Sequence, residues 1–186
     1  MSERMIVEHC APTLAGIKTG NLVSCPYESK DEIREDLRRM NAVLRSKGLR
    51  MIPLKYLSHR VLIYVYRPDM LSQDLADPES SRILREYGYK ASGEAQCICT
   101  LIRHLGSEGS FPHEIGLFLG YPPEDVRGFI ENHGENSKLT GVWKVYGDPK
   151  KSVALFQKYK CCTETYSKAG LGGAGLKTLA VRRRTR

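Results

Sequence analysis

The residue types with the greatest chemical potential in this chain of 186 residues lie in two short strings. The first string, HCAPTLAGIKTGN, carries Cys10, and the second, FPHEIGLFLGYPP, carries the adjacent pair His113 and Glu114. A thiol, an imidazole and a carboxylate together can activate a cysteine nucleophile. We therefore predict Cys10, His113 and Glu114 as catalytic residues, on the condition that the fold brings the two strings together. A buried, inert Cys10 and a capping or core-edge His-Glu pair are the alternatives.

Three further residues, Lys18, Asn21 and Tyr121, are predicted to bind a ligand. Lys18 lies in the polar turn GIKTGN, where its ammonium group could hold an anion. The turn lacks the G-x-x-x-x-G-K-[ST] pattern, so it is not a P-loop. A solvated lysine is the alternative at this position.

A metal site is a second hypothesis, with His113, Glu114 and a thiolate as mixed ligands. The zinc-protease pattern H-E-x-x-H is not present, because Leu117 stands where the second histidine is needed. The six cysteines, at positions 10, 25, 97, 99, 161 and 162, include no C-x-x-C pair, which is poor spacing for a zinc finger. No residue is therefore assigned as a metal ligand, and no cofactor is indicated.

The string from Phe111 to Gly134 predicts two short helices joined by a G-Y-P turn, which is the outline of a helix-turn-helix. Gly116 and Val126 stand where such a pair makes its close contact. The second helix begins P-P-E-D, and two acids at that position repel a polyanion. A structural helix pair is therefore favoured over DNA readout, in which Arg127 would be the contacting cation.

The net charge of +8 is concentrated near the C-terminal end of the sequence. Residues 168–186 hold six Lys or Arg and no acid, whereas the preceding 167 residues hold 23 basic against 21 acidic side chains. Because the body of the chain is almost neutral, nucleic acid is not favoured as a partner. Weak polyanion contact through Arg182, Arg183, Arg184 and Arg186 is the alternative to a flexible, solubilising tail.

Apolar periodicity predicts an α+β fold, with a small mixed sheet of about four strands and helices packed mainly on one side. Residues 29–48 form the clearest predicted helix, which opens with an S-x-x-E capping box. The runs 50–57 and 61–67 predict a hairpin whose second strand, VLIYVYR, lies in the centre of the sheet. In a later helix, apolar spacing assigns Cys99 to the buried face.

The length predicts one globular domain over residues 1–168, followed by a Gly-rich basic tail over 169–186. No apolar run approaches the roughly 18 residues of a membrane span. The first residues, MSERMIVEHCAP, show neither a basic leader nor a long apolar run. The protein is therefore predicted to be cytoplasmic, with no membrane partner.

The strings at 9–25, 61–71, 111–134 and 143–148, the last of which reads WKVYGD, together resemble an uncharacterised bacterial family catalogued as domain of unknown function 3793. The resemblance covers about residues 3–166 in the same order. It implies a single-domain, cytoplasmic bacterial protein and supplies no established activity. Polar residues at its motif positions include Cys10, Lys18, His113, Glu114 and Tyr121, whereas the tail looks unlike the family.

Three functions remain open from the sequence. The leading one is a cytoplasmic enzyme or small-ligand-binding protein whose pocket gathers Cys10, Lys18, His113 and Glu114. The second is a metal-binding or metal-responsive protein. The third is a nucleic-acid-binding or protein-binding module built on the helix pair and the basic tail.

Overall fold

The computed structural model describes residues 1–90, 93–107 and 111–183. These fall into two compact units, one comprising Met1–Asp69 with Tyr159–Arg186 and the other Met70–Lys158. The described α-helices and strands, in chain order, are α1 (Glu3–Leu14), β1 (Gly20–Pro26), α2 (Lys30–Leu44), β2 (Arg50–Tyr56), β3 (Arg60–Tyr66), α3 (Pro68–Ala76), α4 (Pro78–Glu86), α5 (Glu94–Gly106), α6 (Ile115–Phe118), α7 (Pro123–Glu131), β4 (Leu139–Thr140), β5 (Lys144–Val145), α8 (Pro149–Leu171) and α9 (Leu176–Leu179). The turn after α2 is a short 3-10 helix, Arg45–Lys47. None of the helices in these ranges has the length and apolar character needed to cross a bilayer. The single domain over 1–168 stays a prediction.

The first unit is built on an antiparallel sheet with the strand order β1-β3-β2. The prediction that VLIYVYR is the central strand of a hairpin is confirmed, because β3 pairs with β2 on one side and β1 on the other. Val61, Ile63 and Val65 alternate along β3, and all three belong to the core. The α+β class is confirmed, with antiparallel sheets of three and two strands in place of one mixed sheet.

Helices α1, α2 and α9 contribute buried side chains to the core that contains Val61, Ile63 and Val65 of the sheet. Helix α2 forms as predicted: the Ser29 hydroxyl accepts from the Glu32 main-chain nitrogen at 3.1 Å and caps the helix. Its buried face comprises Ile33, Leu37, Met40 and Leu44. The amphipathic pattern of α2 therefore predicts both its position and its packing.

The segment predicted to be a flexible tail is part of this core as far as residue 180. Leu176 on α9 is fully buried, and Ala180 is almost as well enclosed. The main-chain nitrogen of Leu176 donates to Glu3 at 2.9 Å, which ties α9 to α1. The prediction of a flexible tail is therefore wrong for residues 176–180, while Arg184 and Arg186 lie outside the described residues.

Arg67, which follows β3, is buried and donates to four main-chain carbonyl oxygens. The acceptors are Thr13 at 2.7 Å, Leu14 at 2.8 Å, Val181 at 2.7 Å and Lys47 at 3.2 Å. Thr13 and Leu14 end α1, where carbonyls lack helical partners and a cation meets the negative end of the helix dipole. Burial lowers the pKa of the guanidinium, but an arginine stays charged in proteins. One side chain therefore joins α1, the turn after α2 and the C-terminal segment.

The second unit is mainly helical and is organised around Asp125, a buried residue of α7. Its carboxylate accepts from Trp143 Nε1 and from the main-chain nitrogens of Tyr146 and Gly147, each at 2.7 Å. The Trp143 ring also stacks on Tyr121, with centroids 4.8 Å apart. An acid of the P-E-D helix start therefore holds the ladder of β4 and β5 against α7.

The buried face of helix α5 is shifted from the predicted one, and it excludes Cys99. Cys97, Ile98, Leu101 and Leu105 are buried, whereas Cys99 is exposed, so the assignment of Cys99 to the core is wrong. The sequence ICTLI is apolar on almost every side, and spacing alone does not select the phase of such a helix.

Replacing Arg67 with Met should lower the free energy of unfolding by about 3 kcal/mol or more, because buried carbonyl oxygens lose a charged donor. Arg67→Lys should cost roughly half as much, since an ammonium group keeps the charge without the planar fork. Urea denaturation measures both. Lys160→Met is the exposed control in the same unit and should change stability by less than about 0.5 kcal/mol. A loss for R67M no larger than for K160M would contradict the central role of Arg67.

Candidate functional site

The predicted site residues divide between the two units. The first unit holds Cys10, Lys18 and Asn21, and the second holds His113, Glu114 and Tyr121. Each group has its own surroundings within its unit. The catalytic pairing of Cys10 with His113 and Glu114 stays a prediction.

In the first unit, Cys10 and Lys18 are both buried and are coupled electrostatically. Lys18 is 3% exposed and donates to the Gly20 carbonyl, so the solvated alternative for Lys18 is wrong. Burial raises the pKa of the Cys10 thiol far above its usual value and lowers that of Lys18 to about 7; the attraction between the two groups opposes both shifts. A protonated thiol is a poor nucleophile, so these surroundings favour an unreactive Cys10.

Asn21 is the second residue of β1, and a hydrogen bond joins its side chain to the end of α1. The Thr13 hydroxyl donates to Asn21 Oδ1 at 2.7 Å, and Thr13 itself is fully buried. The carbonyl of the same threonine accepts from Arg67. The hydrogen bond to Asn21 Oδ1 therefore helps to hold α1 on the sheet.

In the second unit, His113 and Glu114 lie in a turn that precedes α6. Three successive i→i−3 hydrogen bonds form this turn, and α6, the first helix of the predicted pair, begins only at Ile115. His113 is exposed, and its ring packs on Phe129 with centroids 4.9 Å apart. The two neighbours therefore face different surroundings.

Glu114 is buried and has two partners that the sequence did not single out. Its Oε1 lies 2.8 Å from His104 Nδ1 and accepts the Tyr89 hydroxyl at 3.0 Å. The rings of Tyr89 and His104 also meet edge to face at 5.0 Å. The other oxygen, Oε2, has no hydrogen-bond partner within residues 1–90, 93–107 and 111–183. A buried carboxylate with unused acceptor capacity costs free energy, so Oε2 is a favourable position for a ligand donor.

The Glu114 cluster, which we define as Tyr89, His104 and Glu114, has the arrangement of an oriented base. An ionised carboxylate only accepts, so it selects the tautomer in which Nδ1 of His104 carries the proton and Nε2 is an acceptor. The His104 side chain is 32% exposed, which leaves the ring within reach of a solute. Burial and the charge of Glu114 raise the pKa of Tyr89, which keeps its hydroxyl a donor. Carboxylate-held histidines of this kind serve as general bases.

Tyr89 also lines a cavity of about 470 Å³ in the second unit. Helices α3, α4 and α5 supply most of its wall, which includes Leu75, Leu84, Cys97, Arg85 and Glu94. The volume lies within the range of small-molecule sites. Apolar walls with a few charged groups fit a small organic ligand.

The geometry offers little to the metal hypothesis. Among the residues that the structure describes, no group of three or more His, Cys, Asp or Glu side chains could hold a metal ion. His104 and Glu114 are two potential ligands, one fewer than the three protein ligands of a typical catalytic zinc site.

The cation considered for DNA contact is already paired. Arg127 interacts with Glu79, with Glu86 at 3.2 Å and with Glu131 at 3.6 Å. The carboxylates of Glu86 and Glu79 raise the pKa of Arg127 and tie α7 to α4. A DNA phosphate would have to replace three acids, so the ion pairs favour the structural interpretation of the helix pair.

Sequence reasoning missed Tyr89 and His104, although each carries a signal. Tyr89 follows Gly88, which ends α4 with φ of +76°, and the residue after such a glycine commonly packs back on its helix. His104 lies two turns after Cys97 on α5, and only the correct phase of that helix brings both inward.

The predicted close contact of the helix pair is confirmed at Gly116, where an added Cβ would lie 2.8 Å from Val126 Cγ2. Gly116→Ala should therefore lower the free energy of unfolding by about 1–2 kcal/mol, because the clash outweighs the gain in helix propensity. In a Val126→Ala background, the same change should cost less than about 0.5 kcal/mol. A double-mutant cycle in urea measures the difference, and equal costs in both backgrounds would contradict the contact.

The pH dependence of stability should report on Lys18. Between pH 7 and 9 the unfolded chain keeps the Lys18 proton that the folded protein loses, so stability should rise with pH by about 2 kcal/mol. Above pH 9 the raised pKa of Cys10 acts in the opposite direction. Lys18→Met should flatten the rise between pH 7 and 9, whereas the exposed control Lys160→Met should retain it. Urea denaturation across this range tests the expectation, and an unchanged slope in K18M would refute it.

Comparison with known proteins gives one family and no individual relative. Neither the curated proteins nor the solved structures contain a significant match. The family model described as "Protein of unknown function (DUF3793)" matches residues 6–180. The match extends beyond residue 166 and includes α9, so this part of the supposed tail is common to the family. Because the match spans nearly the whole sequence, the chain belongs to the DUF3793 family.

Proposed function

We propose that this protein is a cytoplasmic small-ligand-binding protein whose ligand occupies the cavity beside Tyr89. The observation that carries the proposal is the state of Glu114. Its buried carboxylate holds His104 and Tyr89 through one oxygen, while the other has no hydrogen-bond partner among the described residues. Buried groups in this state are uncommon in folded proteins, and binding sites are a frequent reason for them.

The cavity suggests the chemistry of the ligand. Leu75 and Leu84 offer apolar contact. The charged side chains of the wall are two cations and one acid: Arg85, Lys90 and Glu94. A small organic molecule with both apolar and polar groups would complement these walls, and Tyr89 connects the cavity to Glu114 through its hydroxyl.

The Glu114 cluster, which Tyr89 joins to the cavity, could carry out proton transfer. His104 would accept a proton at Nε2, and Glu114 would stabilise the imidazolium that results. Tyr89 would remain a donor beside the ligand, because its raised pKa keeps the phenol neutral. Of the three predicted catalytic residues, the proposed site uses Glu114 and does not need Cys10 or His113.

Equilibrium dialysis of a small-molecule cell extract, with mass spectrometry of the retained compounds, tests the proposal. The wild-type protein should enrich one or a few compounds. Ala76→Trp, at an exposed position of the cavity wall, should weaken their retention about tenfold or more by filling space. Glu114→Gln should also weaken it, because the amide replaces an ionised acceptor.

Lys160→Met, at an exposed position on α8, is the control and should retain the same compounds. Circular dichroism of each variant separates a binding loss from a folding loss. Retention that is equal in A76W, E114Q and wild type would contradict the proposal, as would a wild-type protein that enriches nothing.

A further inference from the structure

The first unit contains a cleft of about 460 Å³ whose wall is strongly basic. Its charged side chains include the cations Arg45, Lys47, Arg50, Arg67, Arg182 and Arg183, and the acid Asp69. They come from the turn after α2, the start of β2, the end of β3 and the segment after α9. We propose that this cleft binds a small molecule carrying at least two phosphate charges.

The charge balance is the first reason. Asp69 pairs with Arg183 at 2.9 Å, and Arg67 is held by main-chain carbonyls. Arg45, Lys47, Arg50 and Arg182 make no ion pair with any residue that the structure describes. Four cations gathered around one concavity repel one another, and a polyanion would convert that repulsion into attraction.

The rigidity of the cleft is the second reason. Arg67 fixes a permanent positive charge in its wall by hydrogen bonds to three separate segments of the unit. The stem of Arg183 packs on Gly16, where an added Cβ would lie 2.8 Å from its Cγ. Gly16 has φ of +76°, so glycine both permits the turn and leaves room for the arginine. Charges held in place before binding lose little conformational entropy when an anion arrives.

The shape and the lining select the class of ligand. A concave volume of about 460 Å³ suits a small molecule, whereas an extended nucleic acid needs a long, open stripe of charge. The part of the wall that the structure describes has no aromatic side chain on which a base could stack. Arginine forks match phosphate oxygens through paired hydrogen bonds. Phosphate groups would therefore supply most of the recognition.

Calorimetric titration with inorganic pyrophosphate at 0.15 M salt tests the inference. The wild-type protein should bind it, and Arg45→Ser with Arg50→Ser should weaken binding about tenfold or more. The matched control is Arg34→Ser with Arg38→Ser, which removes two exposed cations from α2 and should change affinity less than twofold. Because the Debye length is about 8 Å at this salt concentration, charges outside the cleft should contribute little to pyrophosphate binding.

The single change Arg182→Ser should also weaken binding, and it guards against a folding defect in the double variant. No pyrophosphate binding by the wild type would overturn the inference, and so would equal losses in the two double variants. Tight binding of a single-stranded oligonucleotide that pyrophosphate does not displace would assign the cleft to nucleic acid instead. Ala76→Trp should leave pyrophosphate binding unchanged, so this test fails or succeeds independently of the proposed function.

Discussion

The first unit depends on one buried cation, the guanidinium of Arg67. It donates to carbonyls at the end of α1, in the turn after α2 and in the segment after α9, which are far apart in the sequence. A carboxylate would pair with the guanidinium at a single point. Because the guanidinium has several N–H donors, it can instead join several carbonyl oxygens at once. The arrangement closes the core and, through the same side chain, places a fixed charge in the basic cleft. Arg67 therefore contributes to both the packing and the electrostatics of this unit.

The second unit separates two uses of a buried carboxylate. Asp125 accepts three hydrogen bonds, with both of its oxygens engaged, and it holds Trp143 and the β4-β5 ladder in place. Glu114 is equally buried, yet its described donors converge on one oxygen. A buried carboxylate with hydrogen bonds to both oxygens is used for folding. One whose hydrogen bonds all go to a single oxygen can still accept a hydrogen bond from a ligand. This contrast, and not burial as such, distinguishes the candidate site from the structural core.

The parts of the fold that sequence predicts are those governed by local pattern. The capping box and periodicity of α2 specify that helix, and the apolar run of β3 specifies a central strand. The contact at Gly116 follows from a small residue placed opposite Val126. The predicted burial of Cys99 is wrong because α5 is apolar on several sides, so which face is buried depends on tertiary partners. The predicted flexibility around Leu176 is wrong for another reason. Glycine and charged residues dominate the composition of this segment, but its few apolar residues enter the core. The Glu114 cluster joins residues from three separate parts of the chain, and no local spacing encodes such a meeting.

The packing of α9 against α1 and the sheet has a consequence for the order in which the protein is made. Leu176 leaves the ribosome 110 residues after Tyr66, the last residue of the sheet whose core it helps to complete. Residues 70–158 form a continuous stretch, so that unit is fully synthesised while the first still lacks part of its core. During this interval apolar surface on α1 and α2 stays open to water and to other nascent chains. We therefore expect the core of the first unit to become complete only after α9 has been synthesised.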